Sequence, residues 1–108
     1  TILPCAKQGP FAEIYPELSD FNVFEPFQNQ GIGNHLMEEA EKRAKLLSDK
    51  VTLGVGLHSG YGPAQRLYIK RGYIPDGTGV WYQNHQPAVN AIYEDIGELV
   101  LYLSKDLI

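Results

Sequence analysis

The stretch Gln28-Asn29-Gln30-Gly31-Ile32-Gly33, running straight into Asn34-His35-Leu36-Met37-Glu38-Glu39-Ala40-Glu41, constrains this chain more than any other. It sets two glycines and several backbone N–H groups at the mouth of an amphipathic helix. The first four amides of a helix have no partner within it, and the aligned peptide dipoles add partial positive charge there. Such a mouth suits an anion, most often a phosphate. The stretch lacks the Gly-Lys-Ser/Thr ending that offers a lysine and a hydroxyl to a nucleoside triphosphate and its magnesium. It also lacks the Gly-x-Gly-x-x-Gly spacing of dinucleotide folds. Taken alone, a Gly-x-Gly ahead of a helix is as readily a tight turn, so the neighbouring segments decide.

Those neighbours alternate between extended and helical patterns. Glu17 to Phe24, bounded by Pro16 and Pro26, has the β-rich composition of a strand. A helix is predicted from Gly33 to Leu47, with Leu36, Met37, Ala40, Ala44 and Leu47 on one face and Glu38, Glu41, Lys42 and Lys45 turned away. Glu38 and Lys42 form an i, i+4 pair in the favourable order. Val51 to Leu57 is a second strand, whose Gly54 and Gly56 mark a bend or a close backbone approach. A shorter helix opens at Gly62-Pro63 and closes at Gly72, with Ala64, Leu67 and Tyr68 on its inner face. Tyr73-Ile74 is extended, Pro75-Asp76-Gly77 a turn, Val80-Trp81-Tyr82 a strand and Leu99 to Leu103 the last strand. The order predicts an α/β layer architecture, a mixed sheet flanked by helices. The first sixteen residues, with Pro4, Pro10 and Pro16, carry no regular pattern.

At 108 residues the chain holds one domain. Apolar residues at 44% and charged residues at 20% fit an ordinary globular core. A net charge of −4 argues against a nucleic-acid surface and suits a cationic partner such as an amine. No apolar run approaches the roughly 20 residues that span a bilayer, and no secretory pattern stands at the start. Cys5, the lone cysteine, excludes an internal disulfide and fits a reducing compartment, with cytoplasm as the expectation. The three histidines and Cys5 have neither metal-ligand spacing nor the spacing of a nucleophilic pair. His35 and His85 read as surface residues.

Gln28-x-x-Gly31-x-Gly33 resembles the Gln/Arg-x-x-Gly-x-Gly/Ala signature of the GNAT superfamily of acetyl-CoA-dependent N-acetyltransferases. Ala64-Gln65-Arg66-Leu67-Tyr68-Ile69-Lys70-Arg71-Gly72-Tyr73 resembles its second signature, Ala-x-x-Leu-Tyr-x-x-x-Gly-Phe/Tyr. Val23 sits where the family ends its fourth strand, and the resemblance runs from about Glu13 onward. It implies a GNAT-like acyl-CoA N-acyltransferase fold in a single domain over residues 1–108. That domain has an irregular lead-in over 1–16, a cofactor-binding core over 17–82, and a C-terminal loop and strand over 83–108.

The resemblance further implies that the backbone of Phe21, Asn22 and Val23 pairs with the pantetheine arm of acetyl-CoA. The amides of Gln28, Asn29, Gln30, Gly31, Ile32, Gly33 and Asn34 would hold its pyrophosphate without a metal. Tyr68 matches the tyrosine that protonates the leaving thiolate; a phenol with a pKa near 10 carries its proton at neutral pH. Strand-backbone amides would steady the oxyanion. Candidates for general base are Glu17, eleven residues before Gln28, and His58, just after the second strand; Asp20 points to the other face of the strand from Glu17. Each is equally an ordinary solvated residue or, for His58, a local cap.

Two departures from the family pattern stand out. Tyr61 occupies the position where the family often has a cofactor-contacting asparagine. Only about 27 residues precede Gln28, so the N-terminal third of the family fold, which usually binds the acceptor, is expected to be missing. An incomplete sheet leaves an edge that recruits a partner strand, which makes a homodimer completing the sheet an expectation. The leading reading is an N-acetyltransferase that moves acetyl from acetyl-CoA to a primary amine of a small molecule or protein. The alternatives are a non-catalytic CoA-binding or assembly module and a generic phosphate-binding domain.

Overall fold

Valines and leucines at every second position of Val51-Thr52-Leu53-Gly54-Val55 dictate a strand with one apolar face, and that strand is the centre of the fold. The computed structural model describes residues 2–3, 6–18, 30–90, 92–93 and 98–107. Among these the elements run β1 (Ile2–Leu3), β2 (Glu17–Leu18), α1 (Gln30–Lys45), β3 (Lys50–Gly56), a 3₁₀ turn (Ser59–Tyr61), α2 (Gly62–Lys70), β4 (Ile74–Tyr82) and β5 (Leu99–Asp106). The strands form one sheet in the order β1-β2-β3-β5-β4. β2 lies parallel to β3, with Glu17 beside Thr52, and the other neighbours are antiparallel. The expected mixed sheet with flanking helices is therefore present.

Val51, Leu53 and Val55 face the helices and are at most 4% exposed. Leu103 of β5 stands opposite Leu53 and joins them, together with Leu18, Met37, Ala44, Ala64, Leu67, Tyr68 and Tyr73, in one core. Each large side chain buried this way contributes about 2 kcal/mol. The opposite face of β3 carries Thr52, Gly54 and Gly56. The close approach that the two glycines signal occurs at both: the Tyr102 ring lies against Gly54, and a Cβ on Gly56 would run into the Tyr61 ring. Tyr102 also covers Gly9, whose φ of 83° places it in the left-handed region that favours glycine.

Several boundaries differ from the pattern reading. Ile2–Leu3 is a short strand within the supposedly irregular lead-in, held by antiparallel pairing to β2. The turn at Pro75-Asp76-Gly77 does not separate two strands; it is an irregularity inside β4. Ile74 and Pro75 pair with Ser104 and Leu103, whereas Val80 pairs with Leu101, so β4 spends extra residues in a bulge. Gly77 and Gly79, both at positive φ, make that bulge. The last strand continues past Leu103 to Asp106 because β3 offers it partners as far as Lys50. Of the expected strand over Glu17 to Phe24, Glu17–Leu18 is seen and the remainder lies outside the described residues.

The buried face of α1 is rotated from the one expected. Met37 and Ala44 are fully buried, and Glu41 is only 9% exposed, while Leu36 and Leu47 are 40% and 58% exposed. At about 100° per residue, positions 37, 40, 41 and 44 share one stripe, with Leu36 at its margin and Leu47 beyond the helix end. Lys42 pairs with Glu39 at 3.7 Å, not with Glu38.

Glu41 is held inside by four donors. Arg71 gives Nη2 at 2.8 Å and Nε at 3.2 Å, the Tyr73 hydroxyl donates at 2.9 Å, and Lys105 Nζ lies at 2.9 Å. Burial alone would raise this carboxyl's pKa, but the hydrogen bonds from Arg71, Lys105 and Tyr73 outweigh it and hold the pKa below the ordinary 4.5. The resulting stabilisation is fully present above pH 4.5 and drains away as pH falls through the lower folded pKa. Glu41→Gln leaves Arg71 and Lys105 without their anion and is expected to lower stability by about 3 kcal/mol in urea denaturation. The variant's stability should also depend less on pH below 4.5; an unchanged urea midpoint would refute this account.

Candidate active site

Helix α1 begins at Gln30, three residues earlier than the pattern reading, so Gly31 and Gly33 belong to the helix and not to a loop before it. First-turn amides have no partner four residues back in any case, which makes this the least expensive place in a helix for glycine. The four amides without a partner inside the helix are then those of Gln30, Gly31, Ile32 and Gly33. No acidic side chain stands in this first turn, and Lys42, Arg43 and Lys45 gather in the last, which complements the dipole at the far end. Asn34 is the fifth helical residue, one past the unpaired set. Its Oδ1 and carbonyl accept from Arg71 Nη1 at 3.2 and 3.4 Å. Phe21, Asn22, Val23, Gln28 and Asn29, together with Asp20 and Cys5, lie outside the described residues.

Tyr68 comes from α2, which Pro63 starts at its first turn and Gly72 follows at φ 98°. Its ring is 6% exposed and lies 6.0 Å from the Tyr73 ring. Burial pushes the Tyr68 phenol up to about 12, so the proton stays on oxygen throughout the neutral range. The opening end of α2 is fastened to the carboxyl end of β3: Gln65 Nε2 donates to the Gly56 carbonyl at 2.7 Å, and the Tyr61 ring covers the Gly56 α-carbon. Tyr61 thus packs against the strand end in the position where a cofactor contact was expected.

The base candidates sit in different surroundings. Leu18 points into the helical core, so its neighbour Glu17 projects to the opposite face of the sheet. There its charge adds to burial in raising the Tyr102 phenol. Tyr68 and Glu17 therefore stand on opposite faces. His58 is exposed and caps the 3₁₀ turn, its Nδ1 accepting the Gly60 N–H at 3.0 Å. That is the local capping role weighed against catalysis in the sequence. His35 and His85 are exposed, as expected.

Residues that pattern reading missed are Glu41, Arg71 and Lys105, because each resembles a solvated charge. The available signal was the position of Glu41 between Met37 and Ala44 on the buried stripe. Gln65 was missed as well, since a polar residue next to Ala64 looks like helix surface. Among the described residues no three His, Cys, Asp or Glu side chains are placed to hold a metal ion. No described helix is long and apolar enough to cross a membrane.

A parallel strand pair, β2 and β3, has the glycine-led helix α1 between its strands in sequence, and the second helix carries the buried Tyr68 phenol. Residues 4–73, more than half the chain, match the model of the acetyltransferase (GNAT) family, and the chain belongs to that family. The family consists of acyltransferases that generally take an acyl-CoA as co-substrate. No curated protein and no solved structure matches the chain significantly.

Gly31→Asp would put a carboxylate among the free first-turn amides. It is expected to weaken CoA binding about tenfold in calorimetry, with the urea midpoint kept, because an acidic first turn favours the helix itself. Unchanged CoA affinity would remove α1 from the site.

Proposed function

We propose that the chain transfers an acetyl group from acetyl-CoA to a primary amine. Acetyl-CoA supplies the acyl group already activated as a thioester. The first-turn amides of α1 hold its pyrophosphate by hydrogen bonds and dipole, without a metal. Glu17 accepts, through water, the proton that the amine loses as its nitrogen bonds to the carbonyl carbon. As the C–S bond breaks, the Tyr68 hydroxyl supports the sulfur's developing negative charge. The single observation that carries the reading is Tyr68 itself: a phenol buried on α2 in the family-matched segment and locked in its protonated form.

That pKa refines what Tyr68 does. A thiol titrates near 8.5, so complete proton transfer from a phenol at about 12 runs uphill. Tyr68 acts as a hydrogen-bond donor that lowers the energy of the departing thiolate, and the proton that finally neutralises the sulfur comes through solvent. A hydrogen bond to a charge that appears only at the transition state acts on kcat and not on binding.

Tyr68→Phe is therefore expected to lower kcat about 100-fold in a thiol-release assay with a panel of primary amines, leaving the KM for acetyl-CoA within about twofold. The wild type should show no alkaline loss of activity below about pH 10, since Tyr68 keeps its proton there. Acetyl-CoA binding with no thiol release for any amine would leave the chain a CoA-binding module and end the enzymatic reading.

A further inference from the structure

The sheet face away from the helices carries a cleft of about 230 Å³, lined by Trp81, Tyr102, Glu98, Gln8, Gln83 and Asn84 among others. Its walls are fixed before any ligand arrives. The Trp81 and Tyr102 rings meet at 87° with centroids 5.8 Å apart, forming an aromatic corner. Trp81 is anchored by its Nε1–H, which donates to Thr78 Oγ1 at 2.7 Å. Gln83 and Asn84 both adopt left-handed backbone, at φ 48° and 64°, in a two-residue turn closed by Tyr82 and His85. Asn84 Oδ1 accepts the Gly9 N–H at 2.8 Å, which pins the N-terminal segment as the far wall.

Among the described residues the lining has one formal charge, the Glu98 carboxylate, and neither lysine nor arginine. Gln83 Nε2 donates to Glu98 at 3.4 Å, which turns the carboxylate toward the turn. Glu17 projects onto the same face and acts electrostatically on Tyr102. Tyr102 is 8% exposed and packs against Gly9 and Gly54, so the ring open to a cation is that of Trp81. A carboxylate beside that ring completes the cation's partner set, whereas an anion would meet Glu98 with nothing in the described lining to neutralise it. The size suits a small headgroup on an alkyl chain, below the 300 Å³ of ordinary drug-sized sites.

We propose that this cleft binds a protonated alkylamine, the non-reacting ammonium of a di- or polyamine acceptor. The assignment rests on the amine-acetylating reading above. A site that stabilises the ammonium form raises the amine's pKa and withholds the lone pair needed for attack. The nitrogen held here is thus not the one acetylated, and the acceptor must carry a second amine. Glu17, on the same face, is the group that would take that second amine's proton.

Hexyltrimethylammonium, a permanent cation with no nitrogen that can be acetylated, tests the site without turnover. Trp81 is the chain's single tryptophan, so its fluorescence reports the cleft directly. A saturable change is expected with the cation and none with 1-hexanol, and Glu98→Gln, at an exposed position, should weaken binding about tenfold. In thiol release, 1,6-diaminohexane should exceed 1-aminohexane about tenfold in kcat/KM, with the preference collapsing toward one in Glu98→Gln. No fluorescence response, or an equal response to 1-hexanol, overturns the proposal. If the cation binds as described but no amine releases thiol, the transfer reading fails and the cation site stands. If monoamine and diamine turn over equally and Trp81 is silent, the cation site fails and the transfer reading stands.

Discussion

The carboxylate of Glu41 is the constraint on which the arrangement of this molecule depends. It sits on the buried stripe of α1 and is reached by Arg71 just after α2, by Tyr73 before β4, and by Lys105 on β5. A charge this enclosed is tolerable only if fully paired, so the three elements must keep their positions for α1 to pack at all. Arg71 extends the same tie to Asn34, in the second turn of α1. One guanidinium thereby links the end of the helix bearing Tyr68 to the N-terminal part of α1. The Lys105 ammonium also lies 5.7 Å over the Tyr73 ring.

The sheet divides the molecule into two chemical environments. On the helical face, Val51, Leu53, Val55 and Leu103 exclude water, and burial there keeps Tyr68 protonated. On the other face small residues of β3 leave room that aromatic rings partly fill: Tyr102 against Gly54 and Gly9, Tyr61 against Gly56. Carboxylates belong to this second side, with Glu17 on β2 and Glu98 beside the cleft. The same strand thus serves as the wall of a dry core and as the floor of a polar surface, which alternation with period two makes possible.

What the sequence made legible follows from how locally each feature is determined. Val51 to Leu57 and Gly62 to Gly72 were readable because alternation, Pro63 and Gly72 are signals within a few residues of the element they bound. Gly54 and Gly56 announced close approach, but not that Tyr102 and Tyr61 would make it, since those partners come from other elements. The bulge in β4 looked like a turn because Pro75-Asp76-Gly77 has the same residues in either setting; only pairing with β5 tells them apart. Glu41 was hidden for a related reason: its burial is meaningful only beside Arg71, Tyr73 and Lys105, which are 30 to 64 residues away. The start of α1 was displaced because Gly31 and Gly33 weaken helical propensity where helical hydrogen bonding is not yet required.

The opposite placement of Glu17 and Tyr68 bears on how the proposed reaction would run. An amine must lose a proton as it attacks, and the leaving sulfur must be supported as it departs; these events occur on opposite sides of the carbonyl carbon. A base and a donor on the same face would compete for one approach and could pair with each other. With Leu18 turned into the core and Glu17 turned out of it, Glu17 and the buried Tyr68 of α2 lie on opposite faces of the sheet. In the proposed reaction the phenol would act in a dry setting where its hydrogen bond is strongest, and the carboxylate where water can relay a proton. The cleft at Trp81 and Tyr102 opens on the carboxylate's side, so a cationic acceptor approaching it would meet the base first and leave the helical face to the thioester.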